Sequence, residues 1–389
     1  MSCWRGSDSF AVFERNHLVT YMAKDPLKTK FAEMMGIEFP IIAFTHCKDV
    51  VAAVVNAGGF AVLGEAMHTP DDIADDIKWI RSRVGDKPFG IDLVLPASAP
   101  GQGSLEELLA EIPEEHRAYA RKIQEEYDVP APKGGQDLHQ WGGLNQEMAR
   151  AQIDVILEEK APVFVSGLGS PDFMIEAAHE RGMKVFGLVG RARQAEREAA
   201  AGVDAIIAQG YDAAGHTGNV GTFSIVPEVR AVVGDDMPVI AAGGVTTGRH
   251  LAASLCLGAD GVWPGTLWLA CRESDSDMII KEKLIAATAD DTTNSKTVSG
   301  FPMRVTKCPW TEEWAKPEAP RILPSPYQML LSSEYIQGAN DNRRPDLMFE
   351  AAGQGVRFIT EMKPARQIVF DMVEEALVAF EEITGAAAD

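Results

Sequence analysis

The sequence has few cysteines, and none of them forms a paired motif. The five are scattered without C-x-x-C spacing, at Cys3, Cys47, Cys256, Cys271 and Cys308. This pattern excludes a disulfide scaffold and favours reduced thiols in a cytoplasmic protein. Neither Cys47 nor Cys271 has a paired base in sequence, which argues against a cysteine nucleophile. The eight histidines are equally dispersed, so we predict no metal site.

Long apolar runs and excess positive charge are also absent. No apolar run reaches the roughly 18 residues of a membrane span, so we predict no transmembrane helix. Arg5, Asp8 and Glu14 interrupt any apolar region of a secretory signal. The 36 Lys and Arg residues against 57 Asp and Glu residues give a formal charge of −21. This balance argues against nucleic acids and anionic membranes as partners.

Short β-rich runs alternate with helical patterns, which is typical of a parallel α/β sheet. Eight runs are predicted as strands, at residues 40–45, 60–64, 88–95, 162–166, 184–189, 204–208, 238–243 and 260–265. Eight such repeats favour a closed (β/α)8 TIM barrel, whose chemistry takes place at the carboxyl ends of its strands. Thr69 to Asp72 predicts a capped helix start, and residues 364–383 predict a closing helix.

Two segments interrupt this alternation and are predicted as insertions. They follow the third and the eighth strand, so both rise from the same face of a barrel, and we predict that they form a smaller lid or substrate-binding region. Solvent-exposed decoration is the alternative. The predicted division is an N-terminal extension (1–25), a barrel (26–96, 147–275 and 350–389) and the inserted region (97–146 and 276–349).

The most informative stretch is the glycine-rich run from Gln209 to Gly221, which directly follows a predicted strand. Glycines allow the backbone to approach a ligand closely. The run carries His216, whose unperturbed pKa of ~6.5 suits proton transfer near neutrality. For Gln209, the alternatives are contact with a ligand and a buried amide that satisfies the barrel backbone.

Two later strand ends have features of a phosphate site. Gly243 and Gly244 end the seventh predicted strand, and Gly265 and Thr266 end the eighth. Glycines at these turns expose backbone N–H groups that suit an anion. Barrel enzymes commonly bind phosphate at the loops after strands seven and eight.

These segments together resemble the nitronate monooxygenase family, formerly called 2-nitropropane dioxygenases, which are FMN-dependent (β/α)8 enzymes. The matching segments are residues 40–42, 56–59, 209–218, 239–248, 258–266 and 353–355. The resemblance covers most of the chain except the first 25 residues and the two insertions.

The resemblance implies that His216 is the catalytic base and that Gln209 contacts FMN. In the implied reaction, His216 removes the α-proton of a nitroalkane or orients a nitronate, and the flavin passes one electron before O₂ reacts. The products are a carbonyl compound and nitrite. The positions implied to form the FMN site are Ala43, Phe44, Thr45, Asp92, Gln209, Ala214, Gly215, Gly243, Gly244, Trp263, Pro264, Gly265 and Thr266.

Several positions depart from the family pattern. Where the family has Ala-Pro-Met after its first strand, this chain has Ala43, Phe44, Thr45 and His46. Asp92 stands in place of Asn, Asp212 in place of Glu, and Ala214 in place of Gly. An acid at position 92 repels an anionic nitronate unless it is protonated or hydrogen-bonded. His46 is either a second active-site group or a structural loop residue. For Trp263 and Trp268, core packing is favoured over cofactor stacking.

Two other functions stay open. One is an NAD(P)H-dependent flavin reductase of an enoyl thioester or a quinone on the same barrel. The other is a non-catalytic FMN-binding protein that keeps the phosphate loops. The implied partner is a small-molecule substrate, and the sequence leaves open both NAD(P)H and a homodimer.

Overall fold

The computed structural model describes residues 25–94, 105–134, 146–167 and 169–385. Its central feature is a sheet of eight parallel strands that follow one another in chain order. These strands are β1 (Ile42–Thr45), β2 (Phe60–Gly64), β3 (Gly90–Val94), β4 (Val163–Gly167), β5 (Lys184–Val189), β6 (Ala205–Gln209), β8 (Val239–Ala242) and β9 (Gly261–Trp263). All eight predicted strands are confirmed.

The sheet closes on itself between β9 and β1. Ile41 forms a parallel bridge with Val262, whose N–H donates to the Pro40 carbonyl at 3.0 Å. The Phe44 N–H donates to the Pro264 carbonyl at 3.1 Å. Closure removes the exposed edges of the sheet, and the predicted TIM barrel is confirmed.

The helices surround this barrel and also form the inserted segments. They are α1 (Lys30–Met35), α2 (Lys48–Asn56), α3 (Pro70–Val84), α4 (Leu105–Glu111), α5 (Glu114–Glu126), α6 (Gln146–Glu158), α7 (Ile175–His179), α8 (Ala192–Ala201), α9 (Thr222–Val233), α10 (Gly248–Cys256), α11 (Thr266–Leu269), α12 (Met278–Ala286), α13 (Pro309–Glu313), α14 (Tyr327–Asp341) and α15 (Ala365–Thr384). Within the described ranges, no helix is long and apolar enough to cross a membrane.

Local sequence signals fix several helix ends. At the start of α3, the Thr69 side chain accepts from the Asp72 N–H, and the Asp72 side chain accepts from the Thr69 N–H. This reciprocal capping box satisfies two N–H groups that a helix start leaves free. The predicted start of α3 is confirmed, and α15 lies within one residue of the predicted 364–383 helix.

Side chains of the strands alternate between two hydrophobic cores. Ile91 and Leu93 belong to the outer core beneath the helices. Inward-facing side chains fill the barrel, because successive residues of a strand point to opposite faces. At the amino-terminal end of the barrel, Phe31 of α1 packs edge-on against Phe60 and Phe186, with ring centroids 6.1 and 5.7 Å away. These rings fill the base of the barrel, so a ligand of the barrel is expected at its carboxyl end.

A second, antiparallel sheet of three strands connects the second insertion to the loop that carries His216. It comprises β7 (Gly215–His216), β10 (Thr292–Ser295) and β11 (Met303–Thr306), with β11 in the middle. Met303 pairs with His216, and Arg304 pairs with Gly215. Residues 292–306 are thus placed directly against the candidate base.

The described parts of the two insertions pack against each other. The Tyr119 hydroxyl donates to the Glu313 carbonyl at 2.9 Å, and the Tyr127 hydroxyl donates to Glu313 Oε1 at 2.7 Å. His116 Nε2 donates to the Arg321 carbonyl at 2.8 Å. The division into barrel and lid stays a prediction, and the predicted extension 1–25 lies outside the described residues apart from Asp25.

Candidate active site

Inward-facing side chains at the carboxyl ends of the strands form the floor of the candidate site. Phe44 of β1 and Trp263 of β9 stack with their ring centroids 5.6 Å apart, and both pack on the inner core. Asp92 of β3 faces inward because its neighbours Ile91 and Leu93 face outward. Gln209 of β6 faces inward by the same alternation. Two polar groups therefore stand beside an apolar surface.

Asp92 and Gln209 are both available to a ligand. No hydrogen bond joins either side chain to another part of the chain that the structure describes. Asp92 is only 6% exposed, and burial raises its pKa to about 7 because the ionised form loses hydration. The Gln209 amide can both donate and accept. A bound molecule at the barrel mouth would satisfy these otherwise unpaired groups.

His216 lies on the loop after β6 and is fixed from two sides. Its Nε2 lies 2.8 Å from Ser299 Oγ, and the Phe301 ring meets the imidazole edge-on at 6.1 Å. The Thr217 hydroxyl donates to the Gly210 carbonyl at 2.9 Å, which closes the loop on the end of β6. Burial lowers the pKa of His216 because the imidazolium loses hydration. The ring is therefore neutral near pH 7 and able to accept a proton.

The departures at Asp212 and Ala214 fall within this same loop. Asp212 Oδ2 accepts from the N–H of Thr222 at 2.8 Å, at the first turn of α9. The Asp212 carbonyl accepts from the Gln354 N–H at 2.9 Å. Ala214 is half-buried, and Gly215 has a φ of +66° that glycine adopts without strain. Asp212 thus has a structural role that anchors the loop to α9.

The predicted phosphate loops present unpaired backbone donors. In the described ranges, no protein group accepts from the N–H of Gly243, Gly244, Gly265 or Thr266. β8 and β9 are neighbours in the sheet, so the loops that follow them lie side by side. A Cβ at Gly265 would meet only Phe44 Cδ1, at 4.0 Å. At Gly265 the space is therefore open, whereas a Cβ at Gly243 would lie 2.8 Å from Thr222 Oγ1. Unpaired N–H groups on neighbouring loops suit an anion such as phosphate.

The start of α10 is not available to an anion. The Gly248 N–H donates to Glu375 Oε2 at 2.8 Å, so a carboxylate of α15 already occupies it. Thr266 Oγ1 accepts from the Gly353 N–H at 3.0 Å. The turn at residues 353–355 therefore supports the loop after β9, and Gly243 and Gly244, which precede α10, keep their N–H groups free of protein acceptors in the described ranges.

Of the three predicted site residues in β1, only one presents its side chain to the mouth. Ala43 packs in the outer core, and Thr45 Oγ1 accepts from the Cys47 N–H at 3.1 Å. Both side chains point away from the mouth, whereas Phe44 points toward it. Any contact of Ala43 or Thr45 with a ligand would use the backbone.

Trp263, the last residue of β9, and Trp268 of α11 both have packing contacts. Trp268 is fully buried, and its Nε1 donates to the Pro264 carbonyl at 2.7 Å. Trp263 is 6% exposed and stacks on Phe44. Both side chains pack in the protein, the choice between core packing and cofactor stacking for Trp263 stays a prediction, and the Pro264 carbonyl is already engaged by the Trp268 and Phe44 donors.

His46 is exposed, and its Nδ1–H donates to the Gly64 carbonyl at 2.9 Å. No other described residue is hydrogen-bonded to its Nε2.

Three further polar residues near the mouth were not predicted as site residues: Glu65, Ser299 and Glu350. Burial raises the pKa of both Glu65 and Glu350. Ser299 and Glu350 lie at or beside the second insertion, where no motif marks them. Glu65 directly follows β2, and a polar residue at the carboxyl end of a barrel strand is the feature of the sequence that could have marked it as a site residue.

A cluster of possible metal ligands, Glu65, His68 and Asp76, lies beside this face. Their ligand atoms come within 4.8 Å of one another. His68 Nδ1 is hydrogen-bonded to Glu65 Oε2. Lys48 Nζ lies 2.5 Å from Asp76 Oδ1, so an ammonium group already neutralises the cluster.

The buried cysteines are poor nucleophiles. Burial raises the pKa of Cys271 to about 12 and also raises that of Cys47. The reactive thiolate is therefore disfavoured at both positions, in agreement with the sequence-based argument against cysteine chemistry.

Comparison with known proteins shows the family to which the chain belongs. The family model described as nitronate monooxygenase matches residues 28–375. A Mycobacterium tuberculosis protein, Rv1533, whose name describes it as a monooxygenase, is 40% identical over 372 residues, covering 92% of this chain and 99% of that protein. A Staphylococcus aureus protein named as a nitronate monooxygenase is 29% identical and covers 90% of this chain and 97% of its own.

Solved structures agree with the sequence comparisons. A nitroalkane oxidase from Streptomyces ansochromogenes superposes with a TM-score of 0.75 at 27% identity and covers 91% of this chain and 99% of its own. FabK from Thermotoga maritima gives a TM-score of 0.71 at 28% identity, with coverages of 92% and 99%. Together with the family match over nearly the whole length, these similarities show that the chain belongs to the nitronate monooxygenase family of flavin-dependent oxidoreductases.

Proposed function

We propose that the protein binds FMN at the carboxyl end of the barrel. The backbone N–H groups of Gly243, Gly244, Gly265 and Thr266 would hold the 5′-phosphate. Their lack of protein acceptors supports this assignment. Oriented N–H dipoles also explain how a chain with a formal charge of −21 can bind an anion.

Gln209 and Asp92 would contact the isoalloxazine ring or the substrate beside it. Both are inward-facing polar groups with no hydrogen bond to the described residues. Phe44 and Trp263 would provide the apolar surface beneath them. FMN, when bound, supplies the electron transfer for which the protein side chains have no equivalent.

The reaction we propose is oxidation of nitroalkanes and alkyl nitronates with O₂ to a carbonyl compound and nitrite. The observation that carries this proposal is a neutral, fixed histidine on the loop beside the barrel mouth. His216 would remove the α-proton of a neutral nitroalkane as a general base. A nitronate has already lost that proton, so His216 would only orient it.

Asp92 would set the charge that the substrate meets. Below its pKa of about 7 the carboxyl is protonated and can donate a hydrogen bond to an anionic nitro oxygen. Above that pH the carboxylate repels a nitronate. The replacement of the family's Asn by Asp therefore makes nitronate oxidation dependent on pH near neutrality.

This proposal is tested by measuring oxygen consumption and nitrite release with a nitroalkane and its nitronate. We expect both substrates to consume oxygen and to yield nitrite, with the purified protein retaining FMN as its extractable flavin. Oxygen uptake without nitrite release would reject the proposed reaction. Extraction of a flavin other than FMN would reject the proposed cofactor.

The second candidate is an NAD(P)H-dependent flavin reductase of an enoyl thioester or a quinone. The similarity to FabK supports keeping it. The altered Phe44–Thr45 segment at the end of β1 also favours it. Anaerobic reduction of the bound flavin by NADH or NADPH would favour this candidate. Binding of FMN without turnover of any of these substrates would instead indicate a non-catalytic protein.

A further inference from the structure

His46 lies directly after β1, above the inner face of β2. Phe60 and Val62 of β2 pack in the inner core, so Gly64, two residues further along the strand, also faces inward. A Cβ at Gly64 would lie 2.5 Å from His46 Cε1 and 2.7 Å from its Nδ1. The imidazole therefore occupies the inward space that this glycine leaves at the carboxyl end of the barrel.

The His46 ring is held by its neighbours and keeps one free acceptor. Its Nδ1 lies 2.9 Å from the Gly64 carbonyl oxygen, which can only accept, so Nδ1 carries the proton. The ring also meets Phe44 edge-on, with the centroids 5.3 Å apart. In the neutral imidazole Nε2 is then an acceptor, and no described residue is hydrogen-bonded to it. Because His46 is exposed, a molecule in the mouth can reach this atom.

His46 and His216 approach the mouth from opposite sides. In the closed sheet of eight strands, β2 and β6 are four positions apart, which is half of the circumference. His46 lies over β2, and His216 is on the loop after β6. Gly64 pairs in register with Asp92, so His46 stands next to the polar side of the mouth. A substrate whose reacting carbon lies near His216 would extend the rest of its chain toward His46.

The charged groups around His46 are carboxyl groups. Asp92 is on the neighbouring strand. Burial raises the pKa of Glu65 and of Glu350, and the charge of His46 opposes part of that rise at both residues, so both carboxyl groups lie within electrostatic range of the imidazole. An anionic chain end is disfavoured in these surroundings, whereas an uncharged hydrogen-bond donor is not.

We propose that His46 is a specificity residue that accepts a hydrogen bond at Nε2 from a hydroxyl group on the carbon chain of the substrate. The substrate class is then a nitroalkane or nitronate that carries a hydroxyl group away from the nitro group. This inference rests on the proposed oxidation of nitroalkanes, and it adds the part of the substrate that the mouth selects.

Two probes of nearly equal size test the contact, because 2-nitroethanol carries a hydroxyl group where 1-nitropropane carries a methyl group. The ratio of their kcat/KM values is measured in the FMN-bound wild type and in His46→Asn. The amide nitrogen of this variant can still donate to the Gly64 carbonyl, but the side chain has no acceptor at the position of Nε2. A neutral hydrogen bond corresponds to a roughly three- to tenfold effect, so we expect the ratio to fall by that factor. Comparing ratios removes the intrinsic difference in reactivity between the two compounds.

Gly64→Ala tests the geometry separately. Its Cβ should push the His46 ring aside and lower the same ratio. In the double variant with His46→Asn the two effects should not add, because both act on one contact. The exposed His179→Asn is the matched control and should keep the wild-type ratio.

A change of less than about twofold in the ratio of His46→Asn would overturn the inference. Loss of FMN from this variant would also overturn it, because His46 would then contact the cofactor. Turnover of both compounds with an unchanged ratio would leave the proposed function intact. No turnover of either compound by the wild type would reject the proposed function and this inference with it.

Discussion

At the scale of single residues, burial favours the neutral form of both titratable groups that define the candidate site. Burial lowers the pKa of His216 and raises that of Asp92 to about 7. Near pH 7 the site therefore contains a neutral base and a carboxyl close to half-protonation. This combination suits abstraction of a proton from a neutral substrate, and it makes binding of an anion sensitive to pH.

Replacement of His216 by Asn tests the base. We expect His216→Asn to retain FMN and to lose about 10²-fold or more in kcat with a neutral nitroalkane, because an amide cannot accept the proton. Steady-state rates and extracted flavin are the measurements, and the exposed His179→Asn is the control. A variant that oxidises nitroalkanes at the wild-type rate would remove His216 from this role.

Replacement of Asp92 by Asn tests the pH dependence. In the wild type, the rate with a nitronate should fall as the pH rises through about 7, because the carboxyl ionises there. Asp92→Asn should lack this fall, while the exposed Asp75→Asn should keep it. A fall of the same size and midpoint in Asp92→Asn would assign the titration to another group.

The same carboxyl predicts a change in stability whose sign can be checked independently. The folded pKa of Asp92 lies above the unfolded value of ~3.9, so the unfolded chain loses this proton first. Its contribution to stability therefore falls as the pH rises from about 4 to about 7. Asp92→Asn should gain thermal stability relative to the wild type across this window, with the two proteins closest near pH 4.

At the scale of elements, the strands and the site loops were predicted from patterns of neighbouring residues in the sequence. Apolar runs bounded by turn residues identified all eight barrel strands. The Gly243–Gly244 pair marked the loop after β8, and Gly265 with Thr266 marked the loop after β9. These signals are visible because each involves neighbours in sequence. Ser299 could not be found this way, because its contact with His216 spans 83 residues and arises only when β11 pairs with β7.

The loop after β9 provides a test of the phosphate site. A Cβ at Gly265 has open space in the protein, whereas a Cβ at Gly248 would lie 2.2 Å from the Met372 carbonyl. Gly265→Ala should therefore fold normally but bind FMN at least about tenfold more weakly, a loss of ~1.4 kcal/mol. Gly248→Ala should instead lose thermal stability through the contact between α10 and α15.

Fluorescence titration with FMN and thermal unfolding separate these outcomes. Wild-type FMN affinity in a folded Gly265→Ala protein would place the phosphate elsewhere. Loss of folding in Gly265→Ala would contradict the open space seen beside that residue.

At the scale of the whole molecule, one end of the barrel is closed by α1 and the other is approached by the inserted segments. The pairing of β11 with β7 connects the second insertion to the barrel loop. The first insertion packs on the second through Tyr119, Tyr127 and Glu313. The sequence predicted where the insertions begin, but their mutual packing depends on contacts between residues almost 200 positions apart.

The chain has a formal charge of −21, so its ability to bind an anionic flavin is a test of the proposed phosphate loops. The thermal stability of the apoprotein with and without flavin measures that binding. FMN at about 100 times its dissociation constant should stabilise the folded protein by ~2.7 kcal/mol and raise its Tm by a few degrees. Riboflavin has the same ring without phosphate and should stabilise the protein far less. Equal stabilisation by the two flavins, measured by thermal unfolding of the apoprotein, would argue against the phosphate loops as the main anchor.

The most direct test of the central claim is anaerobic mixing of the FMN-bound protein with an alkyl nitronate, NADH and NADPH in parallel. The proposed oxidation requires electrons to pass from the nitronate to the flavin, so the yellow absorbance should fall with the nitronate and persist with both nicotinamides. Bleaching by NADH or NADPH, with no change on adding the nitronate, would contradict nitronate oxidation and support the reductase.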